Sequence, residues 1–208
     1  MKRRSVYFLI ASILAMLVPS PGRFVFGLTL VMELNLLMLI STLTISLIKK
    51  LKLEELTTVM LLIVIIASTI FFRQIMIIFQ TEIILTLGYL IYLMPISVFL
   101  IGYVFNEMDK PLKERLKFNM VHILTFSVYA LLFFLLRDIA GYGTFTFFGS
   151  NNQIYEKIII PEEKIGVFSI FASIPGALIL SSILLFIHIY VRNKFAIIQS
   201  VLEEEESK

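Results

Sequence analysis

Residues 24–50 read FVFGLTLVMELNLLMLISTLTISLIKK. Between Phe24 and Ile48 the only ionisable side chain is Glu33, and the run stops at the basic pair Lys49-Lys50. A helix needs roughly 20 predominantly apolar residues to cross a bilayer. This stretch therefore reads as a membrane span whose basic end faces the cytoplasm. Further apolar runs occur at Ser5–Ser20, Leu56–Phe72, within Ile83–Phe105, at Phe118–Leu136 and at Gly166–Val191, which makes six spans. The apolar stretch Gln74–Phe79 extends the third span or lies at the interface.

The composition fits. Of 208 residues, 59% are hydrophobic and only 16% charged, and Phe alone occurs 19 times. A soluble domain could not hide so much apolar surface, so lipid must be the solvent. Six spans leave no room for a second domain, so 1–208 reads as one transmembrane domain with halves at about 1–80 and 81–195. The start Met1-Lys2-Arg3-Arg4 before an apolar run resembles a signal peptide, but Pro19-Ser20-Pro21-Gly22-Arg23 has no small-x-small cleavage site. It reads as a retained first span. The net charge of +3 suits a membrane protein and does not suggest nucleic acid.

Lys and Arg set the orientation. With both termini cytoplasmic, 13 of the 18 basic residues fall on the cytoplasmic side; Arg23, Arg73, Arg137, Lys157 and Lys164 fall on the other. The expectation is a multi-pass protein, with a bacterial cytoplasmic (inner) membrane as its location. The one long outer loop, Ile139–Ile165, is rich in aromatic and β-branched residues and is expected to pack on the bundle or on a partner. The segment 196–208, with the run Glu203–Glu206, reads as a solvated, disordered acidic tail.

Segments 1–3 and 4–6 look related. Both begin with a short broken helix, at Pro19/Pro21 and Pro95, and Ile66-Ala67-Ser68 parallels Phe171-Ala172-Ser173. Three spans per half would insert the halves in opposite senses. The fold expectation is thus all-α integral membrane, six transmembrane helices, a 3+3 inverted repeat with short broken helices 1 and 4. Broken helices of this kind carry functional sites near the membrane midplane in transporters.

Four stretches carry a family resemblance: Leu39–Lys50, Leu61–Ser68 with its Ile65-Ile66-Ala67-Ser68, the segment of Leu87-Gly88, Pro95 and Ile101-Gly102, and Arg137-Asp138-Ile139-Ala140-Gly141-Tyr142-Gly143-Thr144 followed by Pro175-Gly176-Ala177. In order and spacing they resemble the Rnf/Nqr family of membrane subunits, namely the E subunit of Rnf and the D subunit of sodium-pumping NADH:quinone reductase. The resemblance covers roughly residues 9–190. It implies a redox-driven ion-translocating electron-transport complex in which two oppositely inserted homologous subunits hold a [2Fe–2S] cluster between them by cysteines. Here those positions fall near Ala15, in Ile13–Met16, and near Val98, beside Ser97, and the chain has no cysteine. Soft iron–sulfur chemistry needs sulfur donors, so no such cluster and no other bound cofactor is expected. The chain reads as a cysteine-free, non-catalytic subunit, a structural or ion-path partner of a sister subunit.

Individual residues refine this. Glu33 in a span costs about 2.5–3.5 kcal/mol by insertion scales, which makes it an ion- or proton-path candidate, with Asn35 beside it. Arg137 and Asp138, with Gly141, Gly143, Pro175 and Gly176, are the family-motif residues. Arg73 and Glu82 flank an outer link, where solvation is expected. His122 and His188 are too far apart in the chain to suggest a metal site. No nucleophile–base arrangement or phosphate loop is present, so no catalytic residue is named. The alternative is a six-helix component of a vitamin-type transporter, with the aromatic loop Tyr142–Tyr155 over its ligand. A structural membrane subunit without substrate is the plainest reading.

Overall fold

A computed structural model describes residues 17–96, 111–150, 152–161 and 165–206. The chain is mostly helical. Helix α1 spans Phe24–Lys50, α2 Thr57–Phe79 and the short α3 Thr81–Leu87; α4 spans Leu112–Arg137 and α5 Ile174–Glu206. Among the described residues, three helical stretches are long and apolar enough to cross a membrane: Phe24–Lys50, Thr57–Phe79 and Leu112–Tyr142. A bent pair, Gly166–Ala172 with Ile174–Ile187, makes a fourth if it is one span. Most of the first span and the second half of the fourth fall outside the described residues.

The core is the antiparallel pair of α1 and α4. Leu30, Leu34, Leu37 and Met38 of α1 pack in one cluster with Phe126, Ala130, Phe133 and Phe134 of α4. Gly27 makes the approach possible, because a Cβ there would overlap the Phe134 ring. Polar residues fix the register. Asn35 Nδ2 donates to Ser127 Oγ at 2.8 Å, and Asn119 Nδ2 donates to Thr42 Oγ1 at 3.0 Å. Small and polar residues are the usual means of joining helices in lipid, where apolar side chains gain little by meeting. α2 packs on α1 through Leu61 and Ile65, while its Ile63, Phe71 and Ile78 are exposed, as a lipid-facing surface would be.

The stretch Gln74–Phe79 extends α2, one of the two placements expected for it. Other sequence expectations need revision. The fourth apolar run breaks at Gly88, with φ of 53°, between α3 and a 3-10 helix Gly88–Tyr92; the chain is helical again through Pro95. The sixth run, expected to be one helix, is a 3-10 helix Gly166–Ala172 and α5 set at 87°. Ser173 explains this break. Its backbone is extended, its Oγ donates to Ile170 O at 2.6 Å and accepts from Gly176 N–H at 3.3 Å. A serine cap followed by proline in the first turn starts a new helix. By contrast Ile66-Ala67-Ser68 lies inside unbroken α2, so the two thirds of the expected repeat differ here. The backbone of α5 continues through the acidic run to Glu206.

The all-α expectation also fails over the outer loop. β1, Thr144–Phe148, pairs antiparallel with β2, Ile154–Ile158, with Thr144 opposite Ile158 and Phe148 opposite Ile154. Alternating Thr and Phe gives β1 two faces. The hairpin sits where α1 begins and α2 and α4 end: Phe145 stacks on Phe24 at 5.3 Å, Glu82 Oε2 accepts Ile154 N–H at 2.9 Å, and Gln80 Nε2 donates to Gly149 O at 3.0 Å.

Candidate functional site

The family-motif residues, split between 137–143 and 175–176 in sequence, meet at that same end. α4 finishes in a π-turn, Asp138–Tyr142, which turns Arg137 and Asp138 into the protein. Arg137 is 1% exposed and Asp138 0%. Burying charges is costly unless their hydrogen-bonding capacity is met, and here it is met by the ends of interrupted segments. Arg137 Nη1 donates to Ser20 O at 2.9 Å, in the turn carrying Pro19 and Pro21. Its Nε donates to Phe171 O and its Nη2 to Ala172 O, both at 3.2 Å. These two carbonyls end the 3-10 helix, where the backbone dipole is negative. The Phe133 ring lies 5.5 Å from the guanidinium carbon.

Asp138 does the converse. Its Oδ2 accepts Phe24 N–H at 3.0 Å, at the positive N-terminus of α1, where Arg23 supplies no side-chain cap. Oδ2 also accepts Thr146 N–H at 2.8 Å and Thr146 Oγ1 at 2.7 Å, and Oδ1 accepts Thr144 Oγ1 at 2.7 Å. Thr146 Oγ1 in turn accepts Val25 N–H at 3.3 Å. Asp138 is thus a remote N-cap, and β1 is held against α1 through it.

Glycines admit this convergence. A Cβ on Gly141 would lie 2.6 Å from Ala172 N, so the π-turn packs backbone to backbone on the 3-10 helix. Gly143 adopts φ of 69°, a left-handed conformation that glycine adopts at little cost, and its carbonyl accepts both Ile159 and Ile160 N–H at 2.8 Å. A Cβ on Gly176 would strike Ile170 O. Pro175 stands in the first turn of α5. All six motif residues therefore act at one knot joining three interrupted backbone segments. Sequence reasoning missed Thr146, Ser20 and Ser173. The signal for Thr146 was its spacing of two from Thr144, which puts both on one strand face.

The two ion-path candidates do not come together. Asn35 is spent on Val31 O at 2.7 Å and on Ser127, facing α4. Two residues turn a helix by about 200°, so Glu33 faces the other way. It is 0% exposed, and neither carboxyl oxygen has a hydrogen-bond partner among the described residues. Glu33 lies about 14 Å along α1 from Phe24, at the helical rise of 1.5 Å per residue. Of Arg73 and Glu82, for which solvation was expected, Glu82 is committed to the hairpin through Ile154 N–H. The ion pair found among the described residues is Arg23 Nη1 with Glu156 Oε2 at 2.7 Å, and Arg23 also lies 5.5 Å from the Tyr142 ring centre.

Among the described residues no group of three or more His, Asp or Glu could hold a metal ion, and the chain has no cysteine. The positions near Ala15 and Val98, where the resemblance puts cluster ligands, lie outside the described residues. A cleft of about 160 Å³ between α2 and Pro95 is lined by Leu62, Ile65, Ile66, Pro95 and Ile96, all apolar. The chain matches no protein-family model, no curated protein and no solved structure.

Proposed function

We propose that this chain is a membrane subunit of a redox-driven, ion-translocating electron-transport complex of the Rnf/Nqr type. It carries no iron–sulfur ligands of its own. It lies in the bacterial cytoplasmic membrane with both termini cytoplasmic, and serves as structural and ion-path partner of an oppositely inserted sister subunit. The observation that carries this reading is the knot at Arg137 and Asp138. The stretches that resemble the family, Arg137–Thr144 and Pro175-Gly176-Ala177, are the ones that tie interrupted segments together, and each motif residue has a physical task there. The antiparallel pairing of α1 with α4 supports the inverted arrangement, because the second member of each half must then run in the opposite sense. The basic residues Lys49, Lys50, Lys113 and Lys117 sit at the end of that pair away from the hairpin, in keeping with a cytoplasmic face there.

The test is purification from native membranes through a tag on the chromosomal copy, in mild detergent. Recovery of redox flavoprotein subunits and a homologous membrane subunit is the expected result. Recovery with a pair of ATPases, or of the chain alone, refutes it.

A further inference from the structure

Glu33 is the one charged-type side chain in the middle of α1, and its burial needs an occupant for the carboxyl. A bare carboxylate in a low-dielectric interior is strongly disfavoured without a partner, and among the described residues none is present for either oxygen. Two occupants would relieve it: a metal cation or a proton. Transporters that bind sodium gather several oxygens on it, typically unwound carbonyls and half-helix C-terminal ends. Around Glu33 the backbone is unbroken helix, with its carbonyls already accepting. One turn away, Thr29 gives its hydroxyl hydrogen to Val25 O at 2.9 Å. Where free carbonyls do converge, at Ser20, Phe171 and Ala172, the Arg137 guanidinium already fills the place of a cation.

We propose that Glu33 is a proton-binding site of this chain, a carboxyl that takes up a proton to become neutral and releases it again, and that sodium does not bind there. As a step of ion translocation this rests on the function proposed above; as a binding site it does not. The chemistry is a simple exchange, carboxylate plus proton giving carboxylic acid.

Carbodiimides attack protonated carboxyls in apolar surroundings, which gives a direct test. Native membranes are treated with dicyclohexylcarbodiimide, with and without excess sodium, and the Glu33 peptide is examined by mass spectrometry. The expected result is an adduct on Glu33, unchanged by sodium and lost in Glu33→Gln but kept in Glu33→Asp. Protection by sodium overturns the proposal in favour of a cation site. No adduct, while a known reactive carboxyl in the same membranes is modified, overturns it in favour of a sealed structural carboxyl. Membrane vesicles driven by a reduced electron donor add a second readout: Glu33→Gln loses proton uptake, and retained uptake removes Glu33 from the path. An adduct on a chain that purifies without redox partners would leave the site standing and the proposed function refuted.

Discussion

Removing the Asp138 carboxyl should loosen the whole hairpin end. Asp138→Ala deletes the acceptor for four donors: Phe24 N–H, Thr146 N–H, Thr146 Oγ1 and Thr144 Oγ1. The hydroxyls can rotate to other partners, but the two amides are fixed by the backbone. An orphaned buried donor costs about 1–3 kcal/mol, so the two amides together give about 2–6 kcal/mol. For a chain of this size 1 kcal/mol moves Tm by roughly 2–4 °C, so Tm should fall on the order of 10 °C. Asp138→Asn separates geometry from charge. Its amide oxygen can keep the two backbone donors while the Thr144 hydroxyl turns to accept, so the cost drops to about 1 kcal/mol, the scale of a helix cap. The chain has no Trp, so melting is followed by far-UV circular dichroism of the detergent-purified protein. An Ala variant that melts with the wild type, or an Asn variant as unstable as Ala, would show that accepted hydrogen bonds at Asp138 are not what holds this end.

Other expectations concern the bundle. Gly27→Leu drives a side chain into the Phe134 ring and should cost about 1–3 kcal/mol, read as a lowered Tm. A double-mutant cycle of Asn35→Ala and Ser127→Ala should give a coupling of about 0.6 kcal/mol, the average for polar contacts between membrane helices; a coupling of zero would remove this bond from the α1–α4 interface. Glu156→Gln breaks a pair that is exposed on both sides, so its effect should stay below about 1 kcal/mol. With no native cysteine in the way, single substitutions test orientation. Tyr155→Cys should react with an impermeant maleimide on intact cells, and Lys52→Cys only after permeabilisation.

The three long helices were legible because each is a long apolar run whose solvent is uniform. Phe24–Ile48 and Leu56–Phe72 need no tertiary information to become helices, and Lys49-Lys50 marks an end wherever the chain goes. The breaks were less legible because a proline is neither necessary nor sufficient for one. Pro95 remains in helical backbone, whereas the 87° bend falls at Ser173, whose hydroxyl closes one helix and caps the next. The hairpin was hidden for a related reason. Phe145, Phe147 and Phe148 make the loop apolar throughout, which masks the period of two that Thr144 and Thr146 carry.

At the knot, adjacency misleads. Arg137 and Asp138 stand side by side in the chain, and the simplest reading of neighbouring opposite charges is a pair that neutralises itself. The π-turn sends them to different places instead, each to a set of backbone groups of the complementary sign. No periodicity could announce this, since Ser20, Phe24, Phe171 and Ala172 come from segments up to 152 residues apart and contribute main-chain atoms, which the sequence does not distinguish. Glu33 is the opposite case. Its oddity is visible at once, because a carboxyl in an apolar run must be explained. What the fold adds is that Asn35 faces α4, the helix carbonyls are spent and Arg137 holds the carbonyls of Ser20, Phe171 and Ala172, so among the described residues a proton is the occupant that fits Glu33.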